Sequence, residues 1–328
     1  ILLPLHLTPD QKKLIYDKEN IGRLEAEPID ITLGNVTLTL EHLDITKDIP
    51  NRWATVRAII NSSSTRQDWE NVVRMMEGFK QAGVRLRPDW QEKIIRRLNL
   101  AGMQHLVLRA VQQSSRTGLQ LKTGGLVHVV LRGQHMRAAG AEWSEEETRK
   151  ALSAAEQIIE LLENREHLGG TALTPGDLRS SPFVIAYPAE LAAVRAKRHT
   201  KERDEDGKVL RYTSRLMDAL TQDEFMSTTL QSELAALDLE TSNAQGYWFR
   251  RVPFHVERQV WKFIPVLNAL QTSRQVLGQK MPRAREAVKV IAEIKEGLAK
   301  ASVGVSKLCK TLDTPHVARR VLQEIDSV

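Results

Sequence analysis

The chain has 328 residues, of which 41% are hydrophobic and 5% aromatic, and its formal net charge is +6. A single cysteine, Cys309, excludes an intrachain disulfide and a four-thiolate zinc or iron–sulfur site, and no apolar run reaches the roughly 20 residues that span a bilayer. The basic balance favours anionic partners such as nucleic acid or an anionic membrane surface, and the sparse aromatic residues favour helices packed through Leu, Ile, Val and Ala.

The first fifty residues differ in pattern from the rest of the chain. The segment "DITLGNVTLTLEHLDI", residues 30–45, alternates apolar and polar side chains around Gly34 and Asn35. Alternation of this kind predicts a short β-hairpin or an extended strand. We therefore predict an extended N-terminal arm over residues 1–50. Because the chain begins at Ile1 rather than Met, either a targeting segment has been removed or the sequence is trimmed, and the former is typical of a processed mitochondrial protein.

From Asn51 onward the apolar period becomes helical. Gly83 is a candidate C-cap at the end of the second helix. Ser144, followed three residues later by Glu147, has the form of a capping box at the start of the sixth. The predicted helices cover residues 51–63, 66–83, 87–102, 103–118, 124–140 and 144–164.

Apolar positions in these helices recur at a constant spacing of 35 residues. Self-similarity at this period is typical of stacked helical hairpins. A lone hairpin cannot bury both of its faces, and stacking supplies the missing partner. We therefore predict a helical-repeat domain over residues 51–167. The matching sets are Ile59–Ile94–Val129, Ile60–Ile95–Val130, Val72–Val107, Val73–Leu108, Met76–Val111 and Gly83–Gly118.

Residues 168–181 are rich in Gly, Pro, Ser and Thr and have the composition of a linker. Helical patterns resume over residues 182–328 without a clean 35-residue register, and we interpret them as degenerate repeats. Pro265 interrupts the longest of these segments, residues 254–278, and predicts a kink or a break there. The predicted organisation is an arm (1–50), a repeat domain (51–167), a linker (168–181) and a second helical region (182–328).

Residues 53–137 resemble the pentatricopeptide-repeat family. The resemblance rests on the helix pair, on the "AG" that ends the second helix at Gly83, and on Pro88-Asp89 at the start of the next helix. The tetratricopeptide family has a period near 34 residues and is the alternative, although its Trp, Gly, Tyr and Pro pattern is absent. Both families form α-solenoids, so the resemblance implies an all-α solenoid of stacked helical hairpins, here with an extended N-terminal arm.

In RNA-reading members of the pentatricopeptide-repeat family, a small polar residue near the start of each first helix contacts a base. The equivalent positions here are Arg57, Glu92 and Val127, and none of them is Asn, Thr or Ser. The segment from Gly83 to Asp89 is also longer than the family's usual link. The resemblance therefore implies a helical-repeat scaffold without one-base-per-repeat recognition.

Basic residues cluster in three places along the chain. Each phosphate that Arg or Lys neutralises releases counterions, so such clusters supply sequence-independent affinity for RNA. A charge run is also the ordinary composition of a solvated surface, and the acidic residues at 202 and 204–206 offset much of the second cluster. The candidate RNA contacts are Arg85, Arg87, Arg96, Arg97, Arg195, Lys197, Arg198, Lys201, Arg250 and Arg251.

The sequence contains no motif for catalysis or for a cofactor. It has no GxxxxGK[ST] phosphate loop, no GxGxxG after a predicted strand and no HExxH. His128 and His135 lie two turns apart on one predicted helix, which is too far to chelate one ion closely. We therefore predict no catalytic, cofactor-binding or metal-binding residue and no enzyme activity.

Together these observations predict a non-catalytic structural component of the mitochondrial ribosome, located in the matrix, of the kind found in fungi. The step from a degenerate helical repeat to a ribosome is an analogy. The expected partners are rRNA and ribosomal proteins, with no small-molecule substrate and no membrane span. One alternative is a mitochondrial RNA-binding factor for the processing or translation of a transcript, and another is an adaptor that recognises only proteins.

Overall fold

A computed structural model describes residues 7–33, 36–44, 51–174, 176–222, 229–237 and 252–311, together with 319, 322–323 and 325. These described residues hold fourteen α-helices and one two-stranded sheet, so the predicted mainly helical fold is confirmed. Contacts group the chain into two units, residues 1–85 and residues 86–328. The domain boundaries predicted from composition differ from this grouping and stay a prediction.

The first unit contains four helices and the sheet. Its strands are antiparallel, with Ile31 opposite Leu38, so the predicted hairpin is confirmed, while its Gly34-Asn35 turn lies outside the described residues. The elements are α1 (Pro9–Tyr16), α2 (Ile21–Ala26), β1 (Asp30–Leu33), β2 (Val36–Thr39), α3 (Arg52–Ser62) and α4 (Arg66–Gln81).

The predicted extended arm is wrong for residues 9–26, which form two short helices. Thr8 begins α1 through a capping box, in which its backbone N–H donates to Gln11 Oε1 at 2.8 Å. Pro9 occupies the first helical turn, where its missing N–H costs nothing. A small apolar cluster joins α1, α2 and the hairpin; its buried members are Leu7, Ile15, Leu24, Ile31 and Leu40.

The second helix of the repeat, α4, follows the sequence prediction closely. Thr65 and Asp68 form its capping box, and hydrogen bonds from the backbone N–H groups of Thr65 and Ser64 hold the pKa of Asp68 below its ordinary value. Gly83 ends the helical segment with a φ of +70°, and Val84 N donates to Phe79 O at 2.8 Å. The left-handed conformation and this bond form the predicted glycine C-cap.

The second unit is a succession of paired helices. In order along the chain, α5 packs on α8, α8 on α10 and α10 on α13, and each of these also packs on the helix that follows it in its own pair. The elements are α5 (Pro88–Leu100), α6 (Gln104–Gln112), α7 (Ser114–Thr117), α8 (Gly124–Gly140), α9 (Glu145–Leu162), α10 (Pro182–His199), α11 (Lys208–Leu220), α12 (Leu230–Ala235), α13 (Val252–Leu277) and α14 (Ala284–Thr311).

Burial follows the 35-residue register at most matching positions, although Ile59, the first member of its set, is only half-buried. Ile94 and Val129 are both buried, as are Ile95 and Val130, and no strand occurs among residues 53–137, all of which are described. In the second helices of the pairs, buried Val72 corresponds to buried Val107. The repeat therefore specifies which helix face is apolar, whereas a solenoid of the pentatricopeptide type stays a prediction.

The predicted capping box at Ser144 and the predicted break at Pro265 are both wrong for reasons of tertiary structure, while the alternative of a kink at Pro265 stays a prediction. Ser144 lies at the N-cap of α9, but its side chain accepts no capping hydrogen bond. Glu147 cannot complete the box because it accepts hydrogen bonds from Arg137 at 2.6 Å and Lys150 at 2.9 Å. Pro265 does not break α13, which runs continuously over 26 residues. The packing of α13 against α10, α11 and α14 compensates for the backbone hydrogen bond that a proline removes.

A buried polar chain crosses three helices of the second unit. Glu190 of α10 is completely buried. Its carboxylate is 2.8 Å from His135 Nδ1 of α8 and accepts a hydrogen bond from Asn268 Nδ2 of α13 at 2.7 Å. Because a buried carboxylate without partners is very costly, these bonds fix how the three helices align.

Candidate nucleic-acid interface

The first predicted basic cluster is divided between the two units, because Arg85 is the last residue of the first unit and Arg87 is the second residue of the other. Arg85 and Arg87 are exposed, and Arg87 pairs with Asp89 at 3.2 Å. Arg96 and Arg97 lie near the end of α5, where each already interacts with another group of the chain. In this cluster, therefore, only Arg85 forms no interaction with a described residue.

The second predicted cluster lies at the end of α10, where positive charge complements the helix dipole. Arg195 pairs with Asp206 at 2.7 Å, and Arg198 donates to the backbone carbonyl of Glu142 at 3.0 Å. Burial raises the pKa of Asp206, but hydrogen bonds from Arg195 and a backbone N–H outweigh it and hold the pKa below its ordinary value. Lys197 and Lys201 are exposed, so two of the four cations remain available to a partner.

The third predicted pair, Arg250 and Arg251, lies outside the described residues. The cations of the other two clusters thus occupy different helix ends, and most are engaged within the chain. That these residues contact RNA stays a prediction.

A stronger concentration of unpaired positive charge lies where α13 meets α14. We call residues 274–289, "RQVLGQKMPRAREAVK", the α13–α14 corner. It holds five basic residues and one acidic residue, a local net charge of +4 in a chain whose total is +6. The sequence analysis did not select this segment, because its basic residues stand singly among neutral ones. A running sum of charge along the chain would identify it.

All five cations of the corner are exposed. Four of them are Arg274 in the last turn of α13, Lys280 in the three-residue 3-10 helix, and Arg285 and Lys289 in the first two turns of α14. None of the four side chains forms a salt bridge or hydrogen bond with a described residue. Their charge is therefore not neutralised inside the described part of the chain.

The fifth cation, Arg283, holds the corner in place. It donates to Thr221 Oγ1 at 2.6 Å and pairs with Asp218 at 3.2 Å, both at the end of α11. Its φ of +47° lies in the left-handed region, which non-glycine residues occupy only where other contacts hold them.

A cleft of about 560 Å³ lies among α5, α8, α10 and α13. Its cations are already engaged: Arg258 pairs with Glu92, Lys262 with Glu233 at 2.8 Å, and the Arg132 guanidinium stacks 3.9 Å from the centre of the Trp261 ring. The cleft is therefore electrostatically balanced, in contrast to the corner.

His128 also lines the cleft, and its chemistry is that of a packed histidine. Burial, aided by the positive charge of Lys262, lowers the pKa of His128 to about 4, so the ring is neutral at physiological pH. Its Nδ1 has no hydrogen-bond partner. In the described part of the chain, no group of three or more His, Cys, Asp or Glu side chains is placed to hold a metal ion. Of the described helices, none combines the length and apolar character needed to cross a bilayer.

Comparison with known proteins decides the family. The family model described as "Mrp13: Mitochondrial ribosomal protein mS27" matches residues 1–326. The chain belongs to the mitochondrial ribosomal protein mS27 family. A curated relative, "Small ribosomal subunit protein mS27" of Neurospora crassa, is 30% identical over 207 residues, covering 60% of this chain and 52% of the relative.

The chain therefore spans about half the length of the curated relative that it matches. Membership of the mS27 family confirms the predicted mitochondrial ribosomal protein. The pentatricopeptide resemblance forms no part of these matches and stays a prediction.

Proposed function

We propose that this chain is a non-catalytic structural component of the small subunit of the mitochondrial ribosome, in the matrix. It docks on rRNA and neighbouring ribosomal proteins as a scaffold of stacked helical hairpins. The observation that carries the proposal is the mS27 family match over nearly the whole chain. The order of contacts from α5 through α8 and α10 to α13 supports a pentatricopeptide-like solenoid as the scaffold.

The environment of the base-reading positions favours a scaffold over a factor that reads one transcript. Val127 is completely buried in α8, and Glu92 is held by Arg258. A side chain that reads a base must present its polar atoms to an unstacked nucleotide. These two repeats cannot do so without losing core packing or an ion pair, so RNA binding by this unit is expected to be unselective.

The charge arrangement supports a non-catalytic role. The cleft among α5, α8, α10 and α13 pairs its cations with carboxylates or an aromatic ring, and its buried histidine, His128, stays neutral. A general acid or base needs a group poised to exchange a proton with a substrate near neutral pH. A histidine with a pKa near 4 and no hydrogen-bond partner at Nδ1 is poorly suited to that task.

The proposal is tested by sedimentation of a tagged chain from mitochondrial lysate through a sucrose gradient. A structural component co-migrates with the small subunit, and stays with it after low magnesium dissociates the ribosome. Migration as a small free particle, with selective binding to one single-stranded transcript by the purified chain, supports the transcript-factor alternative instead. Measurable affinity for neither ribosomes nor RNA supports the protein-only adaptor.

A further inference from the structure

We propose that the α13–α14 corner, residues 274–289, is the surface through which this chain binds the phosphate backbone of rRNA. The inference rests on the proposed function, because it assumes that the chain docks on the ribosome, and it names the part of the chain that contacts RNA. It assigns that role to residues other than the clusters at α5 and at the end of α10.

The first argument is that the cations of the corner are less often paired within the chain than those of the two predicted clusters. At α5 and at the end of α10, most described cations are already engaged within the chain. At the corner, four exposed cations have no such partner among the described residues, and only Glu286 opposes them in the segment. Cations held near one another without counter-charges attract a polyanion most strongly, because the phosphates replace condensed counterions rather than internal carboxylates.

The second argument is that the positive charge at the start of α14 does not serve the stability of that helix. A helix start favours Ser, Thr, Asp or Asn at the N-cap and acidic residues in the first turn. At the start of α14, Arg283 precedes the first helical residue in a left-handed conformation, and Arg285 places a positive charge in the first turn. Glu286 supplies the favourable negative charge of this turn, and Arg283 is held by Asp218 and Thr221. Arg285 has neither role, so a role outside the isolated fold explains its positive charge.

The third argument is the geometry. Arg285 and Lys289 are four residues apart in α14, so they lie on the same face of the helix about one turn apart. Arg283 is anchored to Asp218 and Thr221, which fixes the start of this helix. Cations on one anchored face can contact successive phosphates along a single strand.

RNA fits the corner better than a bilayer or an acidic protein. Gln275 and Gln279 are exposed beside the cations, and side-chain amides commonly bond to phosphate and sugar. Val288 is the only large hydrophobic residue of the corner with high exposure, at 45%. One valine is too little apolar surface for insertion into lipid or for the hydrophobic centre of a protein interface.

The test compares two full-length variants of equal charge change. The corner variant carries R274Q, K280Q, R285Q and K289Q. The control variant carries R109Q, K122Q, R149Q and R165Q, four exposed cations elsewhere in the second unit whose side chains also form no salt bridge or hydrogen bond with a described residue. The probe is a fluorescent RNA hairpin of arbitrary sequence with a 20-base-pair stem. Its Kd is measured between 50 and 200 mM KCl, after circular dichroism shows that both variants fold like the wild-type chain.

Loss of four phosphate contacts lowers the slope of log K against log salt by about 3, and we expect this for the corner variant. The control variant changes the slope by less than about 1. An equal change in both variants shows only a general charge effect and overturns the proposal. An unchanged RNA slope, with binding to phosphatidylglycerol vesicles or to polyglutamate lost in the corner variant, overturns it in favour of lipid or acidic protein.

Crosslinking in the assembled particle separates this inference from the proposed function. If the wild-type chain co-sediments with the small subunit but ultraviolet RNA crosslinks do not fall within residues 274–289, the corner proposal fails and the structural role stands. If the wild-type chain does not co-sediment with the small subunit at all, the proposed structural role is wrong. The corner proposal is then wrong as well, because it assumes that role.

Discussion

Gly133→Ala tests the contact between α5 and α8, on which the helix stack of the second unit depends. Gly133 lies in the middle of α8, opposite Asn99 of α5. A Cβ added there would lie 2.4 Å from Asn99 Oδ1 and 2.7 Å from Asn99 Cγ. Asn99 is buried, and its Nδ2 donates to Val129 O at 2.8 Å. The amide therefore cannot rotate away without breaking that bond.

Three contributions set the size of the effect. Overpacking of a closely packed core costs about 1 to 3 kcal/mol, and loss of the Asn99 hydrogen bond costs about 1 kcal/mol more. Alanine recovers about 1 kcal/mol because glycine is a poor helix former. We therefore expect Gly133→Ala to lower the free energy of unfolding by about 2 kcal/mol.

The measurement is the urea midpoint followed by far-ultraviolet circular dichroism. Gly140→Ala is the matched control in the same helix, because a Cβ there meets no atom within 4 Å, and it should leave the midpoint unchanged or raise it. Adding Asn99→Ala to Gly133→Ala should relieve the clash, so the two changes should be non-additive. A Gly133→Ala chain as stable as wild type, or one that Asn99→Ala does not help, would refute the predicted contact.

Three further changes test individual groups. Folding lowers the pKa of His128 from 6.5 to about 4, so between these pH values the unfolded chain binds a proton that the folded chain does not. The free energy of unfolding of the wild type therefore falls by up to about 3 kcal/mol as pH falls from 6.5 to 4. His128→Phe should abolish that part of the loss, as urea midpoints at pH 7 and 4.5 will show. Hydrogen bonds from two cations lower the pKa of Glu147 from 4.5 to about 2. Its stabilisation is therefore present above pH 4.5 and is lost toward pH 2, and Glu147→Gln should cost about 1 kcal/mol at pH 7 and progressively less below pH 4. His135→Ala removes one hydrogen-bond partner of the buried Glu190 carboxylate and should lower the free energy of unfolding by about 3 to 5 kcal/mol. A thermal midpoint close to that of the wild type would contradict the buried polar chain of His135, Glu190 and Asn268.

The repeat pattern allowed much of the helical fold to be predicted from the sequence. Ile94 and Val129 share a repeat position, and both are buried. Gly83 was recognisable as a C-cap because only a residue without a side chain adopts its left-handed backbone at little cost. Both predictions depend on the spacing or the backbone preference of residues within one helix or turn. Such properties are set by residues that are close together in the sequence.

Other outcomes depended on neighbours that are distant in sequence. The capping box at Ser144 does not form because Glu147 binds Arg137 of the preceding helix. The predicted break at Pro265 does not occur because α13 is packed against three other helices. Local sequence patterns indicate which backbone conformation or hydrogen bond a residue favours, but tertiary contacts decide whether that conformation or bond forms.

The basic residues show this division most clearly. The sequence alone determined that the chain is basic, and its apolar pattern, which recurs at a spacing of 35 residues, predicted a mostly helical fold. Only the tertiary structure decided which cations remain available to a partner. Arg198 is engaged by a carbonyl 56 residues away and Arg258 by a carboxylate 166 residues away, whereas Arg274 and Lys289 have no such group in the part of the chain that the structure describes. Charge is a property of each residue, but its neutralisation depends on which side chains the fold brings within a few ångströms.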